Sequence, residues 1–321
     1  MSERRIDLRR LLWAVVIAAA VWASLLLAAA AWWAGSSVEQ LAAGLRAEHL
    51  GFALAMFAVN HGVRFARWQW MLRIEGHRIA WGRSLRVFMA GLGLLPTPGK
   101  AGVAVRSLLL QRDGVPVDVS LALYFSERLF DLIGLLALAA LLVDASAATR
   151  WMLALAVAVM GVAAVRIGPR VCAGLAARMT EGSRARRATE WLCHFLEHSA
   201  DLMRGRFLAP FLLVGVAANL ATAAVLWRVL HDAAQPIAAA QSAAIVAVSH
   251  LSGSLSLLPG GLGGFEAAML ASLAATGTAA GTALAALFLV RLVTVWFGVA
   301  VGLPLLWREM AAVRMHDGPA T

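Results

Sequence analysis

The chain has 321 residues, of which 61% are hydrophobic and 14% charged, with a mean hydropathy of +0.77. A soluble domain cannot cover that much apolar surface. Apolar runs of about 20 residues, the length that crosses a hydrocarbon core, recur along the chain, and the short alternating segments of a membrane β-barrel do not appear. The net charge is +10, and every cation except Lys100 is arginine, which in such a chain reads as positive-inside bias and attraction to anionic headgroups, not as nucleic-acid binding.

In chain order, the basic tail MSERRIDLRR leads into an apolar run from Leu11 to Ala34. That run is too long for a cleaved signal segment and reads as a retained first span of about 11–34. Further spans are predicted at about 50–72, 117–143, 151–167, 207–230 and 281–307. Two more apolar regions, 84–112 and 236–277, are broken at LLPTPGKAG and LLPGGLGG. Pro and Gly end a helix partway across, so each region reads as a hairpin that returns to the side it entered from. The expected fold class is an all-α polytopic membrane protein, a single transmembrane domain over 1–321 with six full spans and two broken hairpins.

Arginine placement orients these spans. Arg4, Arg5, Arg9 and Arg10 precede the first span, and Arg73, Arg78, Arg83 and Arg86 follow the second. Arg166, Arg170, Arg178, Arg184, Arg186, Arg187, Arg204 and Arg206 lie in 166–206, and Arg308 and Arg314 in the C-terminal tail. With two returning hairpins all four regions share one side, so both termini are expected in the cytoplasm. The stretch 170–206 carries Trp191, Leu192, Phe195, Leu196 and Leu202 at helical spacing among arginines and reads as an amphipathic segment on the cytoplasmic leaflet. Its His194 and His198 stand four apart without a third ligand, and Cys172 and Cys193 lack metal spacing, so no metal or other cofactor is expected.

The two hairpins share a pattern. PGKAG at 98–102 and PGGLG at 259–263 both read P-G-x-x-G, and FSERL at 125–129 and FLVRL at 288–292 both read F-x-x-R-L. Pro98 to Pro259 is 161 residues and Phe125 to Phe288 is 163, so two separate pieces repeat at nearly one spacing. The parity of the spans makes the hairpins enter from opposite sides, which is the inverted repeat of many secondary transporters. A helix that restarts inside the membrane points its N-terminal amides inward and attracts anions. The predicted hairpin-site residues are Gly99, Gly102, Gly260, Gly261, Gly263 and Glu266, the last either a functional acid or a first-turn cap.

Charges within apolar spans are costly and are either functional or paired. Glu127, Arg128 and Asp131 sit near the middle of 117–143, and Arg291 near the middle of 281–307. Arg128 and Asp131, three apart, can pair. Arg291 requires a partner from Glu127, Asp131, Glu266, a hairpin carbonyl or a lipid phosphate. If the repeats pack symmetrically, Arg128 and Arg291 approach and form a phosphate site, since guanidinium grips phosphate bidentately; the competing reading is a structural ion-pair network. Asn60, His61, Arg64 and Arg67 lie on the second span, where Arg64 and Arg67 are expected to reach toward the cytoplasmic face. Asn219 and His250 are expected to bond between helices. No Walker loop, H-E-x-x-H or G-x-S-x-G occurs, and no nucleophile–base set is visible, so no catalytic activity is expected.

In the order PGKAG with Arg106, then SERLFDLIGL, then LPGGLGGFEA, then Arg291, the chain resembles the lysylphosphatidylglycerol synthase transmembrane-domain family over about 10–310. The pattern departs at Val103, where the family usually has an acid in G-E-x-x-R, while Arg106 is kept. The resemblance implies a stand-alone flippase-like protein of the bacterial cytoplasmic membrane, without the soluble aminoacyl-transferase domain of bifunctional members. It implies that an anionic or isoprenoid-linked lipid moves between leaflets, with Arg106, Arg128 and Arg291 near the headgroup phosphate and Glu127, Asp131 and Glu266 balancing charge or carrying a coupling proton. The alternatives are a membrane enzyme that modifies a lipid headgroup and a non-catalytic partner in envelope-lipid synthesis. The expected partner is a lipid, with a homo-oligomer or a lipid-synthesis enzyme left open and nucleic acid excluded.

Overall fold

The computed structural model describes residues 46–97, 101–142, 167–180, 183–203, 205–235, 237–256 and 258–316, together with isolated positions within 13–23 and 152–159. Every regular element among them is helical. In chain order they are α1 (Ala47–Ile74), α2 (Trp81–Leu92), α3 (Ala101–Gln111), α4 (Val117–Leu142), α5 (Gly168–Ala176), α6 (Arg184–Leu202), α7 (Gly205–Asp232), α8 (Ala239–Leu255), α9 (Gly264–Ala275), α10 (Ala280–Arg291) and α11 (Phe297–His316). A 3-10 turn, Pro259–Gly261, lies between α8 and α9, and one π-helical turn, Leu292–Trp296, joins α10 to α11.

The expected spans 50–72, 117–143, 207–230 and 281–307 coincide with α1, α4, α7 and the run from α10 through α11. Those expected at 11–34 and 151–167 lie largely outside the described residues. By length and composition two segments among the described residues can cross a membrane, Arg206–Asp232 and Ala280–Ala312. The two interrupted regions are helix–turn–helix pairs. α2 and α3 have 12 and 11 residues, and α9 has 12. At 1.5 Å per residue each is roughly 18 Å long, well short of a core about 30 Å thick.

Close packing sorts the chain into two units. One comprises Met1–Ala58, Arg86–Val105 and Ala221–Thr321; the other comprises Val59–Leu85 and Arg106–Leu220. In the first, Trp22 stacks on Phe288 at 5.7 Å and meets Trp296 at 5.0 Å, while Ala283 to Leu287 of α10 are buried. Here α2 and α11 touch backbone to backbone: a Cβ placed on Gly302 would lie 2.3 Å from Gly93 N and 2.4 Å from the Met89 carbonyl oxygen. Small residues that admit such contact are a usual adhesive between membrane helices, where apolar burial drives little association. The turn that follows α2 and the 3-10 turn also meet in this unit, since a Cβ on Gly260 would sit 3.6 Å from Pro96 Cα.

In the second unit Trp68, Met71 and Leu72 of α1 and Leu109, Leu110, Phe130 and Phe211 are all nearly inaccessible, and Phe130 meets Phe211 at 5.3 Å. The expected amphipathic segment contains α5 and α6. Ser183 caps α6 by accepting the Arg186 N–H at 3.1 Å, and the Cys193 thiol donates to Cys172 Sγ at 2.8 Å. The apolar face of α6 is divided. Trp191 and Leu192 are exposed, whereas Leu202 is fully buried and Phe195 packs on Phe125 of α4 at 5.3 Å. That face is therefore not wholly given to lipid. His198 Nδ1 lies 2.5 Å from Glu75 Oε2, and His194 faces Glu197. Burial pushes the Glu75 carboxyl above its ordinary value, and His198 opposes that shift.

The Gly93–Gly302 crossing is testable by overpacking. Gly302→Ala should cost about 1–3 kcal/mol, read as a lower melting temperature in detergent. Gly62→Ala is the control, because nothing lies within 4 Å of a Cβ there. Equal melting of the two variants would remove the crossing from the account.

Candidate functional site

The buried charges fall into two groups, one in each unit. In the first unit the group is built on the turn LLPGGLGGFE. Gly260, Gly261 and Gly263 have φ of 63°, 69° and 80°, a region that side chains other than glycine rarely adopt. Gly264 carries no Cβ because one would lie 2.7 Å from the Ser252 carbonyl oxygen of α8. The glycines let the chain fold back onto α8 and leave the Gly260 and Gly261 carbonyls facing α10.

Arg291 occupies that position and is 2% exposed. Its Nε donates to Glu266 Oε1 at 2.6 Å, its Nη1 to the Gly260 carbonyl at 3.1 Å and its Nη2 to the Gly261 carbonyl at 3.1 Å. Its guanidinium lies 4.1 Å from the centre of the Phe265 ring. Glu266 completes the arrangement, because its Oε2 accepts the Gly263 N–H at 2.8 Å. One carboxylate thus caps the first turn of α9 and neutralises the arginine of α10. The helix N-terminus that was expected to attract an outside anion holds an anion of its own chain. Of the partners weighed for Arg291, Glu266 and the hairpin carbonyls are those present.

The second unit holds the larger group. Asp131 of α4, buried, receives three arginines. Arg67 Nη2 donates to its Oδ1 at 2.9 Å, Arg64 Nη1 donates to its Oδ2, and Arg128 Nη2 lies 3.2 Å from the same Oδ2. One turn earlier Glu127, also buried, accepts from Arg106 Nη2 at 3.3 Å, and the Arg106 guanidinium lies 3.3 Å from the centre of the Trp68 ring. Arg67 also donates to the Phe211 carbonyl at 3.1 Å, while its Nε is buried with no hydrogen-bond partner. Gly215 of α7 allows the approach: a Cβ there would lie 3.2 Å from Asp131 Oδ1. Arg128 differs from the other three. Its side chain is 47% exposed, and its guanidinium lies 5.4 Å from the Tyr124 ring centre.

Arg64 and Arg67 therefore do not reach outward as expected. The Arg67 side chain is fully buried and that of Arg64 is 14% exposed, because Asp131 draws both inward. Asn60 supports them, accepting from Arg64 Nε at 3.1 Å and donating to the Ala218 carbonyl at 2.6 Å. Asn219 does not bond between helices as expected; it donates to the Gly215 carbonyl of its own helix at 2.8 Å. His250 packs on Phe265 at 4.9 Å. Sequence reasoning missed Arg64, Arg67, Trp68 and Tyr124 as members of the site. The available signal was spacing: Asn60, Arg64 and Arg67 are four and three apart and share one face of α1. Of the first hairpin's residues, Gly102 is buried against the Gly91 carbonyl, and Gly99 lies outside the described residues.

Long apolar helices that carry internally matched arginines and carboxylates define an all-helical membrane protein. The chain belongs to the family of the lysylphosphatidylglycerol synthase TM region, whose sequence model matches residues 5–302. No curated protein matches it.

A buried pair with every nitrogen of the arginine engaged is structural, and removing one partner strands the other. Arg291→Ala and Glu266→Ala should each destabilise by about 3–5 kcal/mol. The double substitution Arg291→Met with Glu266→Leu should recover much of that loss, because no charge is left buried. Melting curves decide it; an Arg291→Ala protein with wild-type stability would show that the pair is not closed.

Proposed function

We propose that the protein is a lipid translocase of the flippase type, moving an anionic or isoprenoid-linked envelope lipid between leaflets of the bacterial cytoplasmic membrane. In this reading both termini are cytoplasmic, and α2–α3 and α8–α9 are re-entrant hairpins of an inverted repeat. The arginine cluster of the second unit holds the headgroup phosphate. Arg128 makes the first contact, and Arg64, Arg67 and Arg106 supply the field behind it. Glu127 and Asp131 orient the guanidiniums and keep them in place before the lipid arrives. Arg291 and Glu266 form the fixed clasp that holds the second hairpin in shape.

The observation that carries this reading is the contrast between the two arginines of the repeated F-x-x-R-L. Arg291 is 2% exposed and closed by its own carboxylate, while the Arg128 side chain is 47% exposed and shares one carboxylate oxygen with Arg64. A half-satisfied guanidinium in an apolar helix has the donors to grip a phosphate. Membership of a family named for a lipid synthase's membrane region agrees with a lipid substrate.

Leaflet-resolved lipid transfer in proteoliposomes, run beside melting curves, tests the proposal. Arg128→Ala should keep the wild-type melting temperature and lose at least about tenfold in transfer, the scale of one charge-assisted contact. Arg128→Lys keeps the charge without the fork and should recover part of the rate. A wild-type protein that moves no lipid favours the enzyme or partner readings. A folded Arg128→Ala protein with full transfer removes the residue from the mechanism.

A further inference from the structure

We infer that the arginine cluster of the second unit is matched to a phosphate group bearing at least two negative charges, a phosphomonoester or a pyrophosphate, and only partly satisfied by a phosphodiester. As an account of the lipid carried, this rests on the translocase reading above. As a statement of binding chemistry it stands on the charge and geometry of the cluster.

The members are fixed by contact. Arg64, Arg67 and Arg128 converge on Asp131, and Arg106 on Glu127. Among the described residues the carboxylates acting on Arg128 are Asp131 and Glu127, and the Arg64 and Arg106 guanidiniums oppose them. Among the described residues four guanidiniums thus meet two carboxylates, with three of the four on Asp131, and two positive charges are left over. Arg67 and Arg106 are 1% and 7% exposed, and Glu127 and Asp131 are 2% and 5%, so water screens the cluster mainly at Arg128, whose side chain is 47% exposed. In a low-dielectric setting such an excess is costly until anions arrive.

The hydrogen-bond geometry gives the same answer as the charge count. Asp131 Oδ2 is shared by Arg64 and Arg128, so neither has the two-oxygen grip that guanidinium can make. Arg67 Nε is buried and without a partner. A terminal phosphate offers three oxygens and up to two charges. A phosphodiester offers two free oxygens and a single charge, which leaves one positive charge unmatched. The same fold makes a one-to-one pair where it needs none of this: Arg291 meets Glu266, and its other donors end on carbonyls.

The full-length protein in detergent can be titrated at pH 8 with short-chain phosphatidic acid, with phosphatidylglycerol of the same acyl chains, and with inorganic pyrophosphate. Phosphatidic acid should bind at least about tenfold tighter than phosphatidylglycerol. Arg128→Gln, which removes one of the two excess charges at an exposed position, should bring that ratio toward one without a change in melting temperature. If the wild type binds the two lipids equally, or if folded Arg128→Gln keeps the full ratio, the inference is wrong. Pyrophosphate binding as tightly as phosphatidic acid upholds the preference for a multiply charged phosphate while assigning the site to a soluble phosphate, against the translocase reading. Equal transfer of the two lipids in proteoliposomes overturns the dianion preference and leaves that reading intact.

Discussion

The structure depends on the cost of leaving a guanidinium unmatched inside an apolar helix assembly. Arginines in the middle of such helices are tolerated where a carboxylate, a carbonyl or a bound anion meets them. The two units answer this constraint differently. In the first, a single carboxylate and two turn carbonyls close the shell around Arg291. In the second, Asp131 is shared by three arginines, and one of the three stays accessible. A closed shell holds shape; a shared carboxylate leaves capacity for another anion.

The need to deliver carbonyls and an acid to Arg291 explains a turn that is otherwise hostile to helices. Gly260, Gly261 and Gly263 take positive φ, and Gly264 passes against the Ser252 backbone. Any side chain at these positions would move the carbonyls or push α9 from α8. Glu266 then serves twice, on the Gly263 N–H and on Arg291. The π-helical turn, Leu292–Trp296, follows Arg291 directly and widens the helix at that point.

Much of this was legible in the sequence, for physical reasons. Apolar length located α1, α4, α7 and the α10–α11 run, and Pro/Gly breaks located the interruptions between α2 and α3 and between α8 and α9, because hydropathy and helix breaking are local properties. The pairing of Glu266 with Arg291 was one of several options, since sequence alone cannot say which of three acids is within reach. Arg64 and Arg67 were misread because a long side chain near a helix end ordinarily turns toward water, and the pull of Asp131 from another helix is a tertiary effect. The repeat of F-x-x-R-L suggested equal roles for Arg128 and Arg291. Their environments differ because the partners come from non-repeating positions: Glu266 lies in a glycine-rich turn, while Asp131 lies on the same helix as Arg128 and is also claimed by α1.

A map of the protein in lipid nanodiscs, at a resolution that separates headgroup phosphates from side chains, tests the central claim most directly. The account predicts a phosphate within salt-bridge distance of the Arg128 guanidinium, with Arg291 still bonded to Glu266 and the Gly260 and Gly261 carbonyls. A phosphate lodged on Arg291 with Glu266 displaced, or an ordered lipid headgroup elsewhere with Arg128 left in water, would contradict it.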